Sequence, residues 1–117
     1  MKQIKVYRVE DVKRIVAFIP KNHYHIRLLI EFKDQSIIIQ EAVLAAITRA
    51  YLNILLHPTK RACELTLRKM NRRKHGYAKY QLIETSRSEE EIVDEYTRIL
   101  FDFRENFNKG CKVDNDY

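Results

Sequence analysis

Eight basic side chains fall between positions 60 and 79: Lys60, Arg61, Arg68, Lys69, Arg72, Arg73, Lys74 and Lys79. A single acid, Glu64, opposes them, for a local net charge of +7. Guanidinium and ammonium groups at this density can neutralise phosphates and release the counterions condensed on a polyanion. That release is the sequence-independent part of nucleic-acid affinity. Tyr77 and Tyr80 lie beside the cluster, where their rings offer a stacking surface for bases. The stretch from 86 to 106 has the opposite character, with seven acids against Arg87, Arg98 and Arg104 and a net of −4. A solvated loop, or a loop paired with the acidic helix of a neighbouring subunit, would use the same basic residues. The whole chain carries +6, which favours polyanions without requiring them.

A second feature is His23-Tyr24-His25. Tyr24, Ile26, Leu28, Ile30 and Phe32 alternate with His25, Arg27, Leu29, Glu31 and Lys33, which predicts a strand over 24–33. Positions i and i+2 share a strand face, so His23 and His25 would stand together on the outer face with Arg27. Two adjacent neutral imidazoles make a partial site for a divalent metal. Two surface histidines beside a turn is the plainer reading.

A His–hydrophobic–His strand resembles the metal-binding signature of the HUH endonucleases, which nick single-stranded DNA with a tyrosine. The resemblance covers these three residues, and it implies metal ligation by His23 and His25 and metal-dependent nicking. In that family the tyrosine is usually followed, three positions on, by a lysine or a second tyrosine on a helix. Tyr77 and Tyr80 have that spacing, but their segment reads as a strand. Tyr51 and Tyr96 fall on helical segments and lack the partner.

No other catalytic constellation is present: no phosphate-cradling glycine loop, no serine nucleophile elbow and no His-Glu-x-x-His. The two cysteines, Cys63 and Cys111, have no metal-type spacing and are too few for a disulfide framework. No catalytic residue is therefore assigned, and no cofactor beyond a divalent metal at the histidine pair.

The elements that would carry these residues follow from periodicity. The chain has 117 residues, enough for one α+β domain over 1–107 with a polar tail over 108–117. Ile15 to Ile19 is β-rich and stops at Pro20. Ile4-Lys5-Val6 is open between a strand and an arm. Pro20-Lys21-Asn22 and Lys33-Asp34-Gln35 read as turns around the 24–33 strand, and Ser36 to Ile39 as a third strand. From Glu41, apolar residues recur at helical spacing up to Pro58, with a stripe wide enough to predict a largely buried helix. His57 sits in its last turn as a cap or surface residue. Over 61–85, two alternating runs flank Asn71-Arg72-Arg73-Lys74-His75-Gly76, which predicts a hairpin. A helix over 59–71 is the competing assignment. Ser88 and Glu91 form a capping box opening a last amphipathic helix through Phe107.

The expected architecture is an antiparallel sheet of about five strands with two amphipathic helices packed on one face. No stretch reaches the length of apolar residues a membrane helix needs, and the first residues lack the apolar core of a signal peptide. Both point to a cytoplasmic protein without a membrane partner. The leading functional expectation is a small non-enzymatic module that binds nucleic acid through its basic hairpin. The alternatives are a self-associating structural or adaptor protein, present as a homo-oligomer, and the metal-dependent nickase.

Overall fold

In a computed structural model of the chain, residues 4–70 and 79–107 are described, with side chains through Phe101. Cα packing divides the chain into two compact units, Met1–Leu52 and Asn53–Tyr117. Among the described residues there are two antiparallel sheets, of three and of two strands, and two α-helices. The fold is α+β.

The first unit is built on β1 (Val12–Phe18), β2 (Arg27–Phe32) and β3 (Ser36–Gln40), in the order β1-β2-β3. Leu28 stands between Ala17 and Ile39, and Ile30 between Ile15 and Ile37. One face is therefore apolar, as the alternation of β2 requires. The other face carries the rows Val16-Leu29-Ile38 and Arg14-Glu31-Ser36, with an Arg14–Glu31 ion pair at 3.0 Å. The β2–β3 turn closes through the Phe32 N–H on the Gln35 carbonyl at 2.8 Å.

β2 begins at Arg27, three residues later than periodicity predicts. The predicted strand over 24–33 is corrected by its neighbours. β1 ends at Phe18, opposite Arg27, so nothing in β1 remains to pair with earlier residues. The His23 N–H instead closes a turn on the Pro20 carbonyl, with Asn22 at φ 67, a conformation asparagine tolerates better than most residues. On the β3 side, residue 41 would be next in register with Ile26, but it opens a helix. Its Glu41 carboxylate accepts the Ile26 N–H at 2.6 Å in place of a backbone carbonyl.

The segment 4–8 forms no strand. It is tied to the β2–β3 turn by its side chains: Lys5 Nζ lies 2.8 Å from Asp34 Oδ2, the Tyr7 hydroxyl donates to Asp34, and the Tyr7 ring stacks on Phe32 at 3.6 Å. The Lys5 hydrogen bond, assisted by Tyr7, holds the Asp34 carboxyl below its ordinary pKa. In the second unit, the hydrogen bond from Lys60 does the same to Glu84. Both groups are acids depressed in the folded state. Their stabilisation is therefore complete above the unfolded carboxylate pKa, at about 4, and is lost as pH falls through the lower folded values. Thermal melts should show the midpoint falling on acidification through this range. The acid limb should be flatter in Asp34→Asn and in Glu84→Gln than in the parent.

α1 (Glu41–Leu55) follows β3 without a loop. Pro58 lies beyond its end, and the His57 ring is capped onto it, with Nδ1 2.7 Å from the Asn53 carbonyl. The expectation of a largely buried helix is overturned. Ala46 alone is buried in α1, while Ile47, Tyr51 and Leu55 are 53%, 63% and 59% exposed. Ala46 is buried and Ala50 half-buried, while most of its large apolar residues are exposed. Periodicity reports which residues share a stripe, but it does not say whether the same chain supplies the cover.

The second unit holds β4 (Leu65–Lys69), β5 (Tyr80–Glu84) and α2 (Glu89–Phe107). β4 pairs with β5 as a hairpin, so the competing helix over 59–71 does not form. The single sheet of about five strands is corrected to two sheets. Short turns force neighbouring strands together, whereas nothing in the alternation of β3 or β4 makes their edges meet across the intervening helix. α2 starts where the capping box places it. The Glu91 N–H donates to the Ser88 hydroxyl at 3.2 Å, and that hydroxyl donates in turn to the Glu91 carboxylate. No described helix is long and apolar enough to cross a membrane.

Candidate nucleic-acid interface

The hairpin places the basic residues by strand alternation. Leu65 stands opposite Glu84, Leu67 opposite Leu82, Arg68 opposite Gln81 and Lys69 opposite Tyr80. The ladder extends one pair beyond each end, through Met70 N–H to the Lys79 carbonyl and Thr85 N–H to the Glu64 carbonyl. Successive residues point to opposite faces. Arg68 and Lys79 therefore share one face, and Lys69 and Tyr80 share the other.

All four lie at the end of the hairpin nearest its turn and all are exposed, Tyr80 at 52%. The Lys79 ammonium lies 5.8 Å from the centroid of the Tyr80 ring, within range of a cation–π attraction. Among the described residues, no carboxylate is within ion-pair distance of Arg68, Lys69 or Lys79. Arg72, Arg73, Lys74 and Tyr77 lie outside the described residues, as do Cys111 and the 108–117 tail.

At the opposite end of the hairpin Lys60 is engaged in an ion pair, and the Arg61 backbone is tied to α2. Lys60 is half-buried, and its Nζ lies 2.9 Å from Glu84 Oε2, a hydrogen bond that raises the ammonium pKa. Arg61 is exposed, and its backbone N–H donates to Glu89 Oε1 at 2.7 Å. Among the described residues, the cluster thus divides into Arg68, Lys69 and Lys79, which have no carboxylate partner, and Lys60, which is neutralised by Glu84.

The acids nearest in sequence are committed elsewhere. Glu64, the one acid of the basic stretch, has a side chain only 13% exposed. It accepts from the Thr85 hydroxyl at 2.8 Å, from Arg87 Nη1 at 3.0 Å and from the Tyr96 hydroxyl at 3.3 Å. Arg87 spans to Glu95 Oε1 at 2.5 Å, and that bond, ahead of Glu64, raises its pKa. Burial, reinforced by Glu64, keeps the Tyr96 phenol protonated beyond its ordinary range. This network was not anticipated from the sequence. Its signal was there in two isolated charges: Glu64 among bases, and Arg87 just before three glutamates.

The histidine pair stands in the loop before β2, both rings exposed. His23 Nδ1 lies 2.9 Å from the Lys21 carbonyl and His25 Nδ1 3.9 Å from Glu41 Oε2. A shared strand face, the basis of the paired-ligand expectation, is absent because neither residue is in β2. Among the described residues, no group of three or more His, Cys, Asp or Glu side chains could hold a metal ion. No family model matches the chain, no curated protein matches it in sequence, and no solved structure matches it in fold.

Proposed function

We propose that the β4–β5 hairpin is a nucleic-acid-binding prong that contacts the phosphate backbone and has no catalytic role. One observation carries the reading: Arg68, Lys69 and Lys79 project from the turn end of a paired hairpin with no carboxylate partner among the described residues. A cation already paired within its own chain gains little from a phosphate, because it must first lose its partner. Among the described residues these three have no carboxylate to give up. The commitment of Glu64, Glu89 and Glu95 to other donors supports the same conclusion. Tyr80, cross-strand from Lys69, adds a ring for an unpaired base.

The supporting measurement is an electrophoretic shift on single-stranded and double-stranded nucleic acid across a range of salt concentrations. Affinity should fall linearly on a log–log plot, with a slope of about 0.9 for each phosphate contacted on a duplex and about 0.7 on a single strand. Binding that ignores salt would remove the basis of the proposal. A steeper response on the duplex would favour backbone tracking, whereas tighter binding to single strands would point to the tyrosine.

A further inference from the structure

We propose that the protein self-associates through the free edge of β3, pairing antiparallel with β3 of a second copy about Ile38. The surface is the edge of the three-stranded sheet, and the inference does not depend on the nucleic-acid reading.

Hydrogen-bond alternation shows which groups the edge presents. Phe32 and Gln35 form a hydrogen-bonded pair, since the Phe32 N–H donates to the Gln35 carbonyl. In an antiparallel ladder such pairs alternate with non-bonded ones. With Ile30 opposite Ile37 and Leu28 opposite Ile39, residues 35, 37 and 39 turn their backbone groups toward β2. Ser36, Ile38 and Gln40 turn theirs outward. Among the described residues no strand pairs with β3 on that side, so three donors and the Ser36 and Ile38 carbonyls point away from the sheet, the Gln40 carbonyl serving the first turn of α1.

The sheet's two edges are treated differently. β1, the other edge, carries Lys13 and Arg14 and is bulged between Val12 and Arg14. Charge and bulges are the usual devices that stop one sheet adding to another. β3 has neither. It reads Ser-Ile-Ile-Ile-Gln, uncharged, β-branched and free of proline, which is the composition most prone to pair.

The sequence of that edge selects a second copy as the occupant. About Ile38 the strand is nearly palindromic: a polar residue, three isoleucines and a polar residue. Antiparallel pairing on a twofold axis sets Ile38 against Ile38 as a hydrogen-bonded pair. It also sets Ile37 against Ile39 and Ser36 against Gln40. The two Ile38 residues then exchange a pair of hydrogen bonds, and each Gln40 N–H meets a Ser36 carbonyl, the self-complementary pattern an isologous interface requires. Ile38, at the centre of that edge, is 60% exposed.

The test is sedimentation equilibrium of the full chain over a wide concentration range, with amide hydrogen exchange. A mass of twice 14.1 kDa with slow exchange at Ile38 is expected. Ile38→Lys places two ammonium groups directly opposite one another, and should weaken association about a hundredfold while leaving far-ultraviolet dichroism unchanged. Ile38→Thr keeps the β-branch and should stay within about tenfold of the parent. If Ile38→Lys fails to fold, the exchange rate at Ile38 in the native chain decides alone. A native chain that is monomeric at every concentration would overturn the proposal. So would a dimer whose Ile38 amide exchanges freely, since its interface would lie elsewhere.

Discussion

The triple variant Arg68→Ala, Lys69→Ala, Lys79→Ala is expected to bind nucleic acid with a salt slope shallower by about 3 than the parent. Each of the three side chains is exposed on the hairpin and free of any described carboxylate. Each should therefore contribute one phosphate contact and one released counterion. The loss should be uniform across sequences, because a phosphate contact carries no base information. A matched control removes the cation already paired within the chain. Lys60→Ala should leave the slope almost unchanged, because Lys60 is held by Glu84, and should show its effect in stability. Equal slope changes in the two variants would mean that pairing within the chain does not decide which cations engage the polyanion. Tyr80→Phe should be neutral for binding. Tyr80→Ala should weaken binding to single strands only, by about 1–3 kcal/mol if a base stacks there.

Ile92→Ala is expected to destabilise the fold by about 3 kcal/mol, a large share of the stability of an ordinary domain. Among the described residues the buried side chains are Ala46, Ala62 and Ile92, with Ile92 at 7% exposure. It is the one large apolar group with almost no access to water, so truncation removes buried methyl groups and leaves a void that its surroundings fill only in part. Its position adds to the effect, because it lies in the first turn of α2, where its N–H donates to the Ser88 carbonyl at 3.1 Å. Ile92→Val, which removes a single methylene, should cost about 1 kcal/mol. Leu100→Ala, at a more exposed position of the same helix, should cost less than Ile92→Ala. Urea unfolding of the three variants ranks them directly, provided the slope of the transition is constant across the series. A cost for Ile92→Ala no greater than that for Leu100→Ala would show that α2 is not anchored at its first turns.

Local elements were readable wherever local chemistry determined them. The alternation over Ile26 to Phe32 marked the apolar face of β2, and the register with β1 and β3 follows it. Ser88 and Glu91 marked the start of α2. The glycine-containing stretch between two alternating runs marked the β4–β5 hairpin. The basic cluster was visible as composition, yet composition could not distinguish Lys60, which is paired, from Arg68 and Lys69, which have no carboxylate partner among the described residues. That distinction depends on Glu84, 24 positions from Lys60 in the chain. The pairing within the Glu64–Arg87–Glu95–Tyr96 network could not be read for the same reason, although Glu64 and Arg87 stood out as isolated charges.

By itself the sequence determined which residues alternate, where helices begin and stop, and where charge of each sign accumulates. These properties arise between residues a few positions apart, where backbone geometry brings side chains together. Tertiary structure decided that the strands form two sheets, that α1 leaves most of its large apolar residues exposed, that His23 and His25 leave the strand, and which cations are already neutralised. Each of these depends on what a distant part of the chain places opposite a residue, and periodicity carries no information about that.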